Sequence, residues 1–213
     1  MNDYCTPLNF DLPLFKTELS TIDFLKSQPI WADNYCHVTK EDFLSNSINY
    51  QRAALSSHFQ LDWEKYLTDD IKKFFKGHGQ EIYLCEIFFR YKNYSSGIHS
   101  DGKIPGDYSK INWIFGGEDS EMNWYKVKET YVDKDTNSMT PIRSNSKQYT
   151  PNDVELAYSE NFRGPALIQV GCPHNIRNGN YERFCVSIAF KDPTLGRRPT
   201  IAEAKEIFKK YIV

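Results

Sequence analysis

Four side chains in this 213-residue chain have the types and spacing to build a metal centre: His99 and Asp101 in the tetrapeptide HSDG, His174 in CPHN and Arg183 in ERFC. In an extended segment residues i and i+2 face the same side, so His99 and Asp101 aim at one place. Two imidazoles and a carboxylate are the donor set of a non-haem Fe(II) facial triad, three ligands on one octahedral face with the other positions open. An H-x-D triplet is a weak signal alone. Its weight here comes from the second histidine and the arginine downstream.

The elements that must position these residues are short strands. Val170 to Lys191 reads as strand, turn and strand, with Asn178-Gly179 as the turn, because a two-residue type I′ hairpin needs positive φ at both central positions. Counting outward sets Arg177 opposite Asn180, His174 opposite Arg183 and Cys172 opposite Cys185, each pair on one face with Cβ atoms about 5 Å apart. Arg183, Cys185, Ser187 and Ala189 then form a polar, small-residue face suited to a pocket wall. Phe184, Val186, Ile188 and Phe190 form an apolar face that wants a core. Upstream, Ile82 to Tyr94 is a long strand of β-branched and aromatic residues, broken by Ser95-Ser96-Gly97. Lys110 to Phe115, Met122 to Val127, Val154 to Tyr158 and Ala166 to Val170 are further strands, with turns at Gly116-Gly117 and Arg163-Gly164-Pro165. The polar stretch Asp133 to Asn152 reads as a long loop, either a lid or a solvated insertion. Seven or eight short antiparallel strands at regular spacing argue for a sandwich or jelly roll rather than βαβ units.

Around this β-region the sequence predicts helices. Residues up to about Asp33, interrupted by Pro7, Pro13 and Pro29, read as an irregular lead-in. Thr39 can cap a helix carrying Phe43, Leu44, Ile48, Ala54, Leu55 and Phe59, and Thr68 a second one through Ile71, Phe74 and Phe75 that ends at Gly77. His37, His58 and His78 read as loop or cap residues rather than ligands. After the β-region, Thr200 and Glu203 form a capping box that starts a closing helix with Ile201, Ala204, Ile207, Phe208 and Tyr211 along one side. The expected organisation is one domain over 1–213: supporting helices in 1–80, a β core in 81–192, and a closing helix in 193–213.

The order H-x-D, distal His, then Arg about ten residues later resembles the Fe(II)/2-oxoglutarate-dependent oxygenase superfamily, over roughly Glu81 to Lys191. The resemblance implies a mainly β fold with flanking helices, the cupin-like double-stranded β-helix, and catalytic metal ligands His99, Asp101 and His174. It implies Fe(II), the cosubstrate 2-oxoglutarate and O2, with Arg183 pairing the distal carboxylate of 2-oxoglutarate through a bidentate contact. The family's common R-x-S departs here, since position 185 is Cys; Ser187 is the next hydroxyl on that face. Asn112 and Tyr125 are further candidates to hold the cosubstrate, and Trp113, Trp124 and Arg90 to bound or anchor the substrate. The two tryptophans have core filling as their competing role, and Arg90 and Arg163 a place on the surface. Because a carboxylate stands at position 101, the implied outcome is hydroxylation, or demethylation or desaturation derived from it, rather than halogenation.

Composition sets the remaining bounds. Lys+Arg 26 against Asp+Glu 28 gives no reason to expect a nucleic-acid-coating surface, although a local basic groove is compatible with it. No apolar run spans a bilayer and no signal peptide is evident, so no membrane association is expected. The five cysteines (Cys5, Cys36, Cys85, Cys172, Cys185) form no CxxC pair and read as reduced thiols of a cytoplasmic protein. The partner expected for a domain this small is a small molecule, or an amino-acid or peptide side chain. Two other classes fit the same residues: a cupin-type metal enzyme that does not use 2-oxoglutarate, and a non-enzymatic jelly-roll binding protein in which the triad is structural.

Overall fold

The computed structural model describes residues 3–27, 66–90, 92–93, 95–101, 108–131 and 146–213. The chain is mainly β. Strands β1 (Cys5–Pro7), β2 (Glu81–Arg90), β4 (Ser109–Gly116), β8 (Gly164–Gln169) and β10 (Arg183–Lys191) form one sheet in the order β1-β8-β4-β10-β2. Strands β3 (Ile98–Asp101), β5 (Glu121–Val127), β6 (Ser146–Tyr149), β7 (Val154–Glu160) and β9 (His174–Arg177) form the other, in the order β6-β3-β9-β5-β7. Every strand pairing is antiparallel. Ile114, Ala166, Ile168 and Cys185 of the first sheet pack with Met122 and Trp124 of the second, so the two sheets face each other.

The alternation along β10 explains why the first sheet has two different faces. Phe184, Val186, Ile188 and Phe190 are all at most 2% exposed and belong to the main apolar core, each worth about 1.5–3 kcal/mol on burial. That core is closed by helices α1 (Thr21–Lys26), α2 (Asp69–Gly77) and α3 (Ile201–Ile207). Thr68 caps α2 by accepting from the Ile71 amide, and Phe75 then packs against Phe190. Thr200 and Glu203 make the full capping box at the start of α3. His78 is the C-cap of α2, with Nδ1 2.7 Å from the Phe74 carbonyl, and is packed beside Phe208, as its loop-side position implied. The other face of β10 looks between the sheets.

Several expectations are corrected. The largest concerns Val170 to Lys191. β9 and β10 are not a hairpin; they lie in different sheets, His174 pairing with His99 and Trp124, and Arg183 with Arg90 and Gly116. Asn178 and Gly179 lack the positive φ of a type I′ turn. The connection crosses between sheets, held by Asp119 accepting from the Asn180 amide and by Asn178 Nδ2 donating to the Tyr181 carbonyl. A Cβ on Gly179 would collide with the Asp119 carboxylate, so this glycine serves close approach rather than a turn. Cys172 and Cys185 are consequently not opposed, and among the described residues Cys5, Cys85, Cys172 and Cys185 form no disulfide.

The lead-in also contains β1 and α1. Pro7 ends β1, which lies at the edge of its sheet, where a missing N–H is tolerated. Gly164 and Pro165 belong to β8 rather than to a turn. The polar stretch Asp133 to Asn152, expected to be loop, contains strand β6, which pairs with β3. The helix expected beyond Thr39 lies outside the described residues, as do His37, His58 and Cys36. Among the described residues no helix is long and apolar enough to cross a membrane.

Candidate metal centre

Strand β3 has only one register that buries Ile98 and Ser100, and that register turns His99 and Asp101 to the opposite side. Its partner β9 sets His174 directly across from His99, with ring centroids 4.6 Å apart. The three residues present one ligand atom each, all within 4.8 Å of one another, a group able to hold a metal ion. His99 Nε2 stands 3.9 Å from Asp101 Oδ1. Metal bonds of about 2.1 Å to N and O put neighbouring atoms of an octahedral face about 3 Å apart, so a closure of up to about 2 Å completes the set.

Both imidazoles are preset for this role. His99 Nδ1 is 2.9 Å from the Gly97 carbonyl, and His174 Nδ1 is 2.9 Å from the Cys172 carbonyl. A carbonyl only accepts, so each Nδ1 carries the proton and each Nε2 keeps its lone pair. Metal-ligating histidines are oriented in this way by their outer hydrogen bonds.

Asp101 is met from the other sheet by Lys110, whose Nζ is 2.8 Å from Asp101 Oδ2 and 2.9 Å from Glu86 Oε2. Burial alone would raise the Asp101 pKa, but Lys110 and the two histidines override it and hold the carboxyl well below the usual carboxylate range. Burial would likewise lower Lys110, and the carboxylates of Asp101 and Glu86 hold it up instead. Asp101 is therefore ionised, as a metal ligand must be. Sequence reasoning missed Lys110 and Glu86. The available signal was a lysine in the otherwise largely apolar run KINWIF, two residues before Asn112 and so on its face.

The wall of the first sheet continues from Lys110 through Asn112, Ser187, Cys185 and Arg183 on one face, since Ser187 pairs with Asn112 and Cys185 with Ile114. Arg183 is 4% exposed, and burial lowers its pKa. After burial, the groups that act on its charge are the Cys185 sulfur, which raises the pKa, and the Arg90 guanidinium, which lowers it; among the described residues no carboxylate pairs with it. Burial holds the Cys185 thiol protonated, so it does not neutralise the cation. Ser187 Oγ and Asn112 Oδ1 are buried with no hydrogen-bond partner among the described residues. A buried cation without a carboxylate, on the same wall as a Ser187 hydroxyl able to donate, fits a small polar anion. Gly117 lets this happen: a Cβ there would lie 2.8 Å from Arg183 Cβ.

The other expected site residues fall in different places. Arg90 is opposite Arg183, its Nη1 donating to the Phe89 carbonyl and its guanidinium 5.8 Å from the Phe88 ring. Trp124 is opposite His174 and fully buried, its Nε1 donating to the Gln169 carbonyl and its ring packed near Tyr4 and Tyr158. Trp113 points to the helix side of the first sheet, against Phe10. Tyr125 lies off the triad's face: its hydroxyl donates to Asn175 Oδ1, shared with Asn123 Nδ2. Arg163 is exposed and donates to the Glu118 carbonyl. The triad, Arg183, Asn112, Ser187 and Trp124 thus look into the space between the sheets, while Trp113 and Tyr125 do not.

No family model matches the chain, and no curated protein does. Among solved structures it is similar to one titled "X-Ray structure of E. coli ycfD", at 17% identity and a TM-score of 0.34, over 64% of this chain and 31% of that one. The chain thus spans less than a third of that protein's length, and a likeness this loose bears on neither activity nor substrate.

Proposed function

We propose that this chain is an Fe(II)- and 2-oxoglutarate-dependent oxygenase acting on a C–H bond of a small molecule or an amino-acid side chain. The observation that carries the reading is the convergence of His99, Asp101 and His174, with both histidines offering Nε2 and the carboxylate ionised. A double-stranded β-helix, the jelly roll of this superfamily, is supported by the way the chain passes between sheets. β2, β4, β8 and β10 belong to one sheet and β3, β5, β7 and β9 to the other.

In this reading His99, Asp101 and His174 hold the iron on one octahedral face. Arg183 receives the distal carboxylate of 2-oxoglutarate, which would neutralise a cation that has no carboxylate among the described residues. Ser187 and Asn112 supply further hydrogen-bonding atoms along the same wall. Trp124, beside His174, excludes water behind the ligands. With O2, the bound iron and cosubstrate would supply oxidative decarboxylation to succinate and CO2, coupled to hydroxylation. The test is 2-oxoglutarate consumption in air with added Fe(II), read as succinate. Wild type is expected to form succinate, and His174→Ala none. Wild type that binds iron yet forms no succinate refutes the oxygenase reading and favours cupin-type metal chemistry without the cosubstrate.

A further inference from the structure

Lys110 stands in a position that the ligand set alone does not require. It belongs to β4 of the first sheet, is 6% exposed, and crosses the space between sheets to reach Asp101 Oδ2. Its ammonium is tied at the same time to Glu86 Oε2 on β2. Glu86 and Lys110 lie on strands either side of β10, and the residues below their contact are the small Ser187 and Ala189. Three N–H donors are available on an ammonium, and two carboxylates from two sheets fix its direction. Asp101 Oδ2 is thereby taken, while Oδ1 is the oxygen nearer His99 Nε2.

From this geometry we infer that Lys110, braced by Glu86, is a positioning residue that restricts Asp101 to a single metal-bound oxygen. The inference rests on the metal-centre reading above. A carboxylate can bind a cation through one oxygen or through both. With Oδ2 released, Asp101 can swing to chelate and occupy a fourth coordination position. Three protein ligands leave three positions of an octahedron, which is what a two-point keto-acid chelate and O2 require together; a fourth protein oxygen removes one of them. Lys110 therefore guards an open position rather than adding affinity for the metal. Glu86 keeps the lysine from following Asp101 when the carboxylate moves.

The test uses Mn(II), which is stable in air, and counts its bound waters by water-proton relaxation. Lys110→Met removes the ammonium at nearly constant length, and Lys110→Met with Glu86→Gln avoids leaving Glu86 as a buried charge without its lysine. Wild type is expected to hold Mn(II) with three waters. Both variants are expected to hold Mn(II) with two, and to lose most of their 2-oxoglutarate binding at unchanged or tighter metal affinity. Variants that keep three waters overturn the inference and leave the metal centre standing. Folded variants that bind no Mn(II) also overturn it, since Lys110 would then serve affinity. Wild type that binds no Mn(II) removes the metal centre itself, and this inference with it.

Discussion

Arg183→Met separates a ligand-binding arginine from a structural one, because the two roles predict opposite signs. Arg183 is 4% exposed, and no carboxylate pairs with it among the described residues. Removing it from the ligand-free protein is therefore expected to be neutral or mildly stabilising, as replacing buried charges with apolar groups commonly is. The loss should appear when 2-oxoglutarate is present. At a concentration a hundredfold above Kd, a ligand stabilises the folded state by about 2.7 kcal/mol. For a domain of this size each kcal/mol moves Tm by about 2–4 °C, so wild type loaded with Mn(II) should gain about 5–10 °C on adding the cosubstrate. Leaving a buried carboxylate without its partner costs about 2–5 kcal/mol, and a loss near 2.7 kcal/mol weakens binding about a hundredfold. At the same concentration the remaining stabilisation is about 0.4 kcal/mol, a shift of about 1 °C. Thermal melts of both proteins, each with Mn(II) and with or without 2-oxoglutarate, read this directly. A variant that melts several degrees lower without ligand, yet keeps the full cosubstrate shift, refutes the assignment.

Three further substitutions probe the supports of the site. Gly117→Ala puts a Cβ 2.8 Å from Arg183 Cβ at a residue with φ +62°; it should cost about 1–2 kcal/mol of stability and reduce the cosubstrate shift, with Mn(II) binding retained by calorimetry. Thr200→Ala removes one half of the capping box that starts α3 and should cost about 1 kcal/mol, with no change in the response to 2-oxoglutarate. Trp113→Leu opens space beside Phe10 on the helix side of the first sheet and should destabilise by of order 2–3 kcal/mol in denaturant melts. Its cosubstrate affinity should not change, as expected for a side chain on the helix side of that sheet.

What could be read from the sequence was local. The period of two in HSD carried His99 and Asp101 to one side, and Thr200 with Glu203 announced a cap that needs no other part of the chain. The alternation in RFCVSIAFK likewise separated a core face from a site face. The Asn178-Gly179 hairpin failed because its signal is equally local, while pairing was decided by distant strands. β3 and β5 claim β9, and β2 and β4 claim β10, so His174 and Arg183 never become cross-strand neighbours. Tyr125 was misjudged for a related reason: the parity of β5 could not be set without knowing that Trp124 faces His174. Lys110 stood out only as a charge in the largely apolar run KINWIF; its contacts with Asp101 and Glu86 join three strands of two sheets and are not legible in the sequence. The unpartnered oxygens of Ser187 and Asn112 are equally a property of assembled packing.

The central claim is that one metal ion bound by His99, Asp101 and His174 shares its remaining positions with a keto-acid whose far end rests on Arg183. Anaerobic titration of Fe(II) into the protein with 2-oxoglutarate tests it most directly, through the weak visible charge-transfer band of an iron-chelated keto-acid. The account predicts a band in wild type, none in His174→Ala, and a band in Arg183→Met only at far higher 2-oxoglutarate. Wild-type protein that binds iron at this site without developing the band contradicts it.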